Sequence, residues 1–302
     1  MESPPPDQRR PRHSGPAGTT ARILRNVALT GLIAVAAFTA AGLFYGDPRV
    51  VGLFEFRNST VPDGKAAPQQ PGTAAENVGS DAPPPGLEEE DSPLGAPEEP
   101  PFTSGSYKFL ATNDDGTPVG YSPCRPLHYV VNARLAPAGA ESLVEDAIGT
   151  ISRATGIRFI NDGPTAEEPS EDRDPYQPET YGERWAPLLI AWTTPESAPK
   201  LKGQVIGTGG STHYSFDGGP KTFVSGSLDL DAPQIAGELG RAEGSAYATA
   251  VILHELSHVM GLEHVDDPTQ LMYPEIGTPE GLAAGDLNGL YQLGRAACRK
   301  DL

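Results

Sequence analysis

"HELSHVMGLEH", residues 254–264, sets half of the chain's six histidines and one glutamate into a single short run. Its reading decides the fold. His254 and His258 are four apart, so on a helix they stand one above the other on the same face. The segment "SAYATAVILHELSHVM", 245–260, is rich in alanine and leucine and has no proline, as a helix requires. Gly261 follows His258 by three and suits the left-handed conformation that ends a helix. The chain can then double back and bring His264 to the same point. Three neutral imidazoles around one zinc ion leave a fourth position for water, the arrangement of a catalytic rather than a closed structural site. Zinc acidifies such a water to a pKa near about 7. Glu255 would take the proton and later deliver it to a leaving amine. The competing reading is a polar surface helix with no metal, but such a helix does not need three histidines so close together.

Around this run the coarse pattern is that of an α/β domain. "LHYVVN", 127–132, has strand composition. Leu143, Ala147, Ile148 and Ile151 recur at helical spacing until Gly156. "IRFI", 157–160, reads as a short strand, and 161–184 as a polar, proline-rich surface loop. "PLLIAWTT", 187–194, is an apolar run of strand length, expected at the centre of a sheet. "QVIGTGGSTHY" and "TFVSGSLDLD" read as two strands joined by the turn-forming "SFDGGPK". Helices are expected over 244–260 and 282–293, the latter with Leu287, Leu290 and Leu293 on one face.

The N-terminal third differs. Residues 1–26 are basic, with five arginines, and are expected on the cytoplasmic side. Val27–Tyr45 carries no charge and would span about 28 Å as a helix, close to a bilayer's hydrocarbon thickness. With basic residues before it, the run reads as a single-pass signal anchor at the cell membrane that leaves the rest of the chain extracytoplasmic. A cleaved signal peptide, giving a secreted protein, is the alternative. Residues 46–106 are dominated further on by proline, glycine and acidic side chains, and read as a disordered stalk. Residues 107–302 then form one domain. Its two cysteines, Cys124 and Cys298, read as a disulfide joining its ends, or otherwise as a thiolate for the metal. The net charge of −18 excludes a nucleic-acid partner, which needs a basic face. Nothing in the sequence fixes an oligomeric state.

The long motif H254-E255-x-x-H258-x-x-G261-x-x-H264 resembles the zinc signature of the metzincin metalloproteases. "LMYP", 271–274, looks like the Met-turn of the matrixin branch. The resemblance implies a metzincin-like catalytic domain: a mixed twisted sheet, an active-site helix, a Met-turn and a C-terminal helix. It implies one catalytic Zn2+ held by His254, His258 and His264, Glu255 as general acid/base, and Met272 packed beneath the histidines as structural support with Gly261. It also implies hydrolysis of peptide bonds in a protein or peptide substrate lying along the strand near 208–214. Tyr273 and Pro274 would begin one pocket wall, which continues to Gly277. Ile276 departs from the wall tyrosine of animal matrixins, and Val265 from their serine. No cysteine-switch propeptide is present. His213 and Asp217 are too few for a second zinc. Asp229, Asp231, Asp266 and Asp267 are candidate Ca2+ ligands, or solvated turn carboxylates. The expected function is therefore a membrane-anchored zinc endopeptidase. The alternatives are a catalytically silent zinc-binding interaction module on a stalk and an enzyme that processes its own stalk.

Overall fold

The computed structural model describes residues 82–275 and 281–302, all of them within a compact unit that runs from Glu55 to Leu302. The elements in order are β1 (Lys108–Phe109), β2 (Leu127–Asn132), α1 (Glu141–Thr155), β3 (Phe159–Pro164) and α2 (Pro178–Tyr181). They continue with β4 (Leu188–Thr193), β5 (Gly207–Tyr214), β6 (Thr222–Asp231) and α3 (Ala232–Leu239). The last three are α4 (Gly244–Met260), β7 (Leu262–Glu263) and α5 (Ala284–Leu293). Five strands form one mixed sheet in the order β3-β2-β4-β6-β5. The first four run parallel, and β5 lies antiparallel to β6 at the edge. β1 and β7 make a separate antiparallel pair. The mixed sheet, active-site helix, Met-turn segment and C-terminal helix expected of a metzincin-like domain are all present.

β4 is buried at every residue, as its unbroken apolar run requires of a central parallel strand. Leu188, Ile190 and Trp192 join the main core with the apolar faces of α1 and α4, while Leu189 and Ala191 point to the other face with Val130 and Tyr181. α4 is buried almost all round from Ala248 to Met260, as befits a helix with little polar surface. α3 starts on Asp231, whose carboxylate accepts the Gln234 N–H at 2.9 Å, a side-chain cap followed by proline. That short helix carries too little periodicity to stand out in the sequence.

Three expectations change. Residues 161–184 are more than a surface loop. Arg173 is sunk into the second sheet face, pairs with Glu167 at 2.7 Å, and donates to the Ser225 hydroxyl and the Pro187 carbonyl, both at 2.9 Å. One buried guanidinium thus pins the insert onto the sheet. Residues 82–106, read as the end of a stalk, run along the domain as a strap. The Glu90 N–H donates to Cys124 O at 2.8 Å, the Leu94 N–H to Pro123 O at 2.9 Å, and the Glu98 N–H to Arg153 O at 2.9 Å. Acidic residues of the strap find cationic partners: Glu88 with His128 and Arg184, and Asp91 with Lys300. Gly95 and Gly156 let the two backbones touch, since a Cβ on Gly95 would stand 2.5 Å from Gly156 O.

The third correction concerns the membrane. No helix among the described residues is long and apolar enough to cross one. Val27–Tyr45, the run read as an anchor, lies outside the described residues, as do residues 1–26 and the remainder of the expected stalk before residue 82. The membrane-anchored, single-pass reading therefore has no structural support and is not carried forward. Cys124 and Cys298 form a disulfide with a sequence separation of 174 residues, which removes the thiolate-ligand alternative.

Candidate active site

α4 presents His254 and His258 on one face, and its end is set by Gly261 at φ +119°, with its N–H donating to His258 O at 3.0 Å. No other residue fits there. A Cβ would meet Val119 O at 3.0 Å and the rings and methyls of Phe223 and Leu293 just beyond, in a backbone conformation side chains disfavour. The chain reverses through β7, where Leu262 and Glu263 pair with Phe109 and Lys108, and delivers His264. The three Nε2 atoms lie 3.0–3.1 Å from one another.

The His254–His258 contact is not a hydrogen bond. His254 Nδ1–H donates to Leu271 O and His258 Nδ1–H to Leu262 O, each at 2.7 Å. Both rings are thereby fixed in the tautomer that leaves Nε2 as a lone pair. Lone pairs converging on one point repel each other unless a cation lies between them, so the donor set fits a metal ion. Burial pushes His254 and His264 down to about 4 and His258 well below its usual value. The rings are neutral at pH 7, the form that ligates zinc. The other metal-like group among the described residues, Glu89 with Cys124 and Cys298, is spent in the disulfide.

Glu255 is buried beside the first histidine. Burial raises its pKa to about 8, the Gly209 N–H donating to it works against that rise, and nearby Asp229 adds to it. Its Oε2 is buried with no hydrogen-bond partner. A cation held by the histidines would favour the ionised carboxylate. β5 reaches the helix closely through two glycines. A Cβ on Gly207 would stand 2.8 Å from Glu255 Cγ, and one on Gly209 would stand 2.2 Å from Glu255 O. These contacts were not anticipated, although alternating glycines in a strand signal close approach.

Met272 is buried, with its carbonyl accepting the Val265 N–H at 3.0 Å. Leu271 O orients His254, so the Met-turn touches both histidine-bearing segments, the helix and the stretch after β7. Asp286 on α5 holds the turn from behind, accepting N–H groups from Leu271 at 2.8 Å and Met272 at 3.2 Å. Its role had no signal in the sequence beyond an aspartate early in a helix. Tyr273 is partly buried and Pro274 exposed. The continuation of the expected pocket wall, Ile276 and Gly277, lies outside the described residues. The four candidate calcium ligands do not converge among the described residues. Asp231 caps α3, Asp267 accepts from Ser106 and Thr269, and Asp266 pairs with Lys108 at 3.5 Å. Asp229 is pushed up to about 6 by burial.

Comparison with known proteins agrees with this geometry. Residues 191–293 match the matrixin family model, a span that holds the last three sheet strands, the histidine motif and the Met-turn. Matrilysin of the cat, Felis catus, is 32% identical over 91 residues, which cover 29% of this chain and 33% of that protein. The chain thus spans about a third of that relative's length. The high choriolytic enzyme 1 of medaka, Oryzias latipes, a hatching-enzyme zinc protease, aligns at 14% identity with a TM-score of 0.29. That alignment covers 63% of this chain and 95% of the other, and a score so low carries no argument. Residues 191–293 of this chain are thus similar to the matrixins.

Proposed function

We propose that this matrixin-like domain is a zinc-dependent endopeptidase. The carrying observation is the convergence of three neutral imidazole Nε2 atoms beside a buried carboxylate oxygen that has no hydrogen-bond partner. His254, His258 and His264 would hold the ion. Zinc bound there supplies a Lewis acid that polarises a carbonyl and acidifies water. The chain's residues do the rest. Glu255 Oε2 accepts the proton of the attacking water and returns it to the leaving amine. Burial keeps its pKa high enough for it to act as acid as well as base near neutral pH. Among the described residues the outer edge of β5 has no strand neighbour, and the strand lies against the helix at Glu255. An extended peptide can add to it as a further strand, which supports a protein or peptide substrate. Tyr273 and Pro274 would begin the wall beside the residue after the cut.

A second reading has one observation in its favour. Burial alone holds Glu255 protonated below about pH 8, which suits a zinc-binding interaction module without catalysis. A peptide-library assay on the full chain separates the two. Cleavage should disappear with a chelator, return with zinc, and fall by roughly 10²–10⁴-fold in Glu255→Ala with zinc still bound. Zinc binding without any cleavage would decide for the silent module.

A further inference from the structure

The edge strand and the active-site helix are joined by a relay of hydroxyl groups that the proton transfers above do not use. Ser211 on β5 donates to Val259 O at 2.8 Å. That carbonyl lies in the last turn of α4, where the helix's own ladder runs out, one residue beyond His258. Buried Tyr121 places its hydroxyl 2.6 Å from Ser211 Oγ and 3.1 Å from Ser225 O. With the Ser211 proton given to Val259 O, the single Tyr121 proton is shared between Ser211 Oγ and Ser225 O. Gly226 on β6 makes the room: a Cβ there would stand 2.7 Å from Ser211 Oγ and 3.1 Å from the Tyr121 hydroxyl. The register shift of the β5–β6 pair comes just after, between Thr212 and His213.

The relay sits where β5 needs a tie. The strand has one neighbour, β6, and contains Gly207, Gly209 and Gly210, which leave its backbone weakly constrained. Besides the Gly209 N–H on the Glu255 carboxylate, the Ser211 bond to Val259 O is the lateral tie from this strand to the helix. We propose that Ser211, supported by Tyr121, is a positioning residue that fixes the edge strand against the histidine-bearing helix, and so sets where an extended peptide lies relative to the metal site. The inference rests on the reading that β5 receives the substrate. A short peptide engages only the metal and Glu255, whereas a long one also pairs along β5, so the two should respond differently.

The test compares the full-length zinc-loaded protein with Ser211→Ala, Tyr121→Phe and the double variant, on a short and a long peptide sharing one scissile bond. Ser211→Ala should raise KM for the long peptide roughly five- to tenfold, the effect of one net hydrogen bond. It should leave kcat and the short peptide's KM within about twofold, and the zinc affinity unaltered. Tyr121→Phe should shift the same KM less, and the double variant no further than Ser211→Ala, since the two groups act in series. Equal changes for both peptides, a fall in kcat at constant KM, or lost zinc affinity would overturn the inference. If the wild type cuts no peptide, the peptidase reading fails by itself, and amide hydrogen exchange decides the positioning role. The 207–214 amides should then exchange faster in Ser211→Ala than in wild type while those of β2 and β4 do not change. Equal rates in 207–214 would overturn it.

Discussion

Gly209 and Glu255 show how closely the site is built at the level of single atoms. The glycine's N–H donates to the Glu255 carboxylate, and the missing side chain is what allows the approach. Gly209→Ala would place a methyl 2.2 Å from Glu255 O, so strand and helix must part. The expected cost is about 1–3 kcal/mol of stability, as for other overpacked sites. Cleavage should drop by at least about tenfold, since a small misplacement of a catalytic group is costly. Thermal unfolding and kcat/KM measured side by side check this, and an unchanged kcat/KM would mean that Gly209 does not hold the carboxylate. At this scale the sequence was informative where chemistry demands a residue type. His254, His258, His264, Glu255 and Gly261 could all be named from spacing. It was silent where a common residue is used for its place in space. Asp286, Ser211 and Tyr121 are ordinary residues, and only the fold brings them to the Met-turn or to the end of the active-site helix.

Among the elements, the strap over residues 82–98 is the one whose attachment should respond to pH. His128 at the start of β2 is half-buried and meets Glu88 of the strap at 3.4 Å and Asp162 of β3 at 2.8 Å, and Arg184 of the insert pairs with Asp162 at 2.7 Å. The hydrogen bond to Glu88 is the largest cause raising the His128 pKa, with Asp162 adding to it against a smaller desolvation effect. A histidine raised in the folded state stabilises it fully below the unfolded value of 6.5 and loses that contribution as pH rises through the higher folded value. Exchange of the strap amides should therefore accelerate above pH 6.5, beyond the intrinsic chemical rate, in wild type but not in His128→Gln. PH-independent protection would show that the backbone bonds alone hold the strap. The regular elements were legible because β4 is an unbroken apolar run of strand length and α4 a longer proline-free run rich in alanine and leucine. The strap was not legible, because proline-rich acidic sequence looks the same whether its charges face water or find His128, Arg184 and Lys300.

For the described molecule, two devices close the structure: the Cys124–Cys298 disulfide and the three-histidine site. Cys124–Cys298 spans 174 residues, and in the chain-entropy model a loop of that size contributes about 5 kcal/mol. Reduction should lower the denaturant midpoint accordingly, and an unchanged midpoint would mean that the strap and core already constrain the unfolded chain's ends. The described residues offer no membrane-crossing helix. The proposed role of the metal site is that His254, His258 and His264 hold one zinc ion which, with Glu255, cuts peptide bonds. The most direct measurement strips the metal from the full chain and titrates zinc back while peptide cleavage and bound zinc are followed together. Cleavage should rise in proportion to bound zinc, saturate at about one equivalent as a three-histidine catalytic site requires, and stay near background in Glu255→Ala at the same occupancy. Cleavage that persists without zinc, or full occupancy with no cleavage, would contradict it.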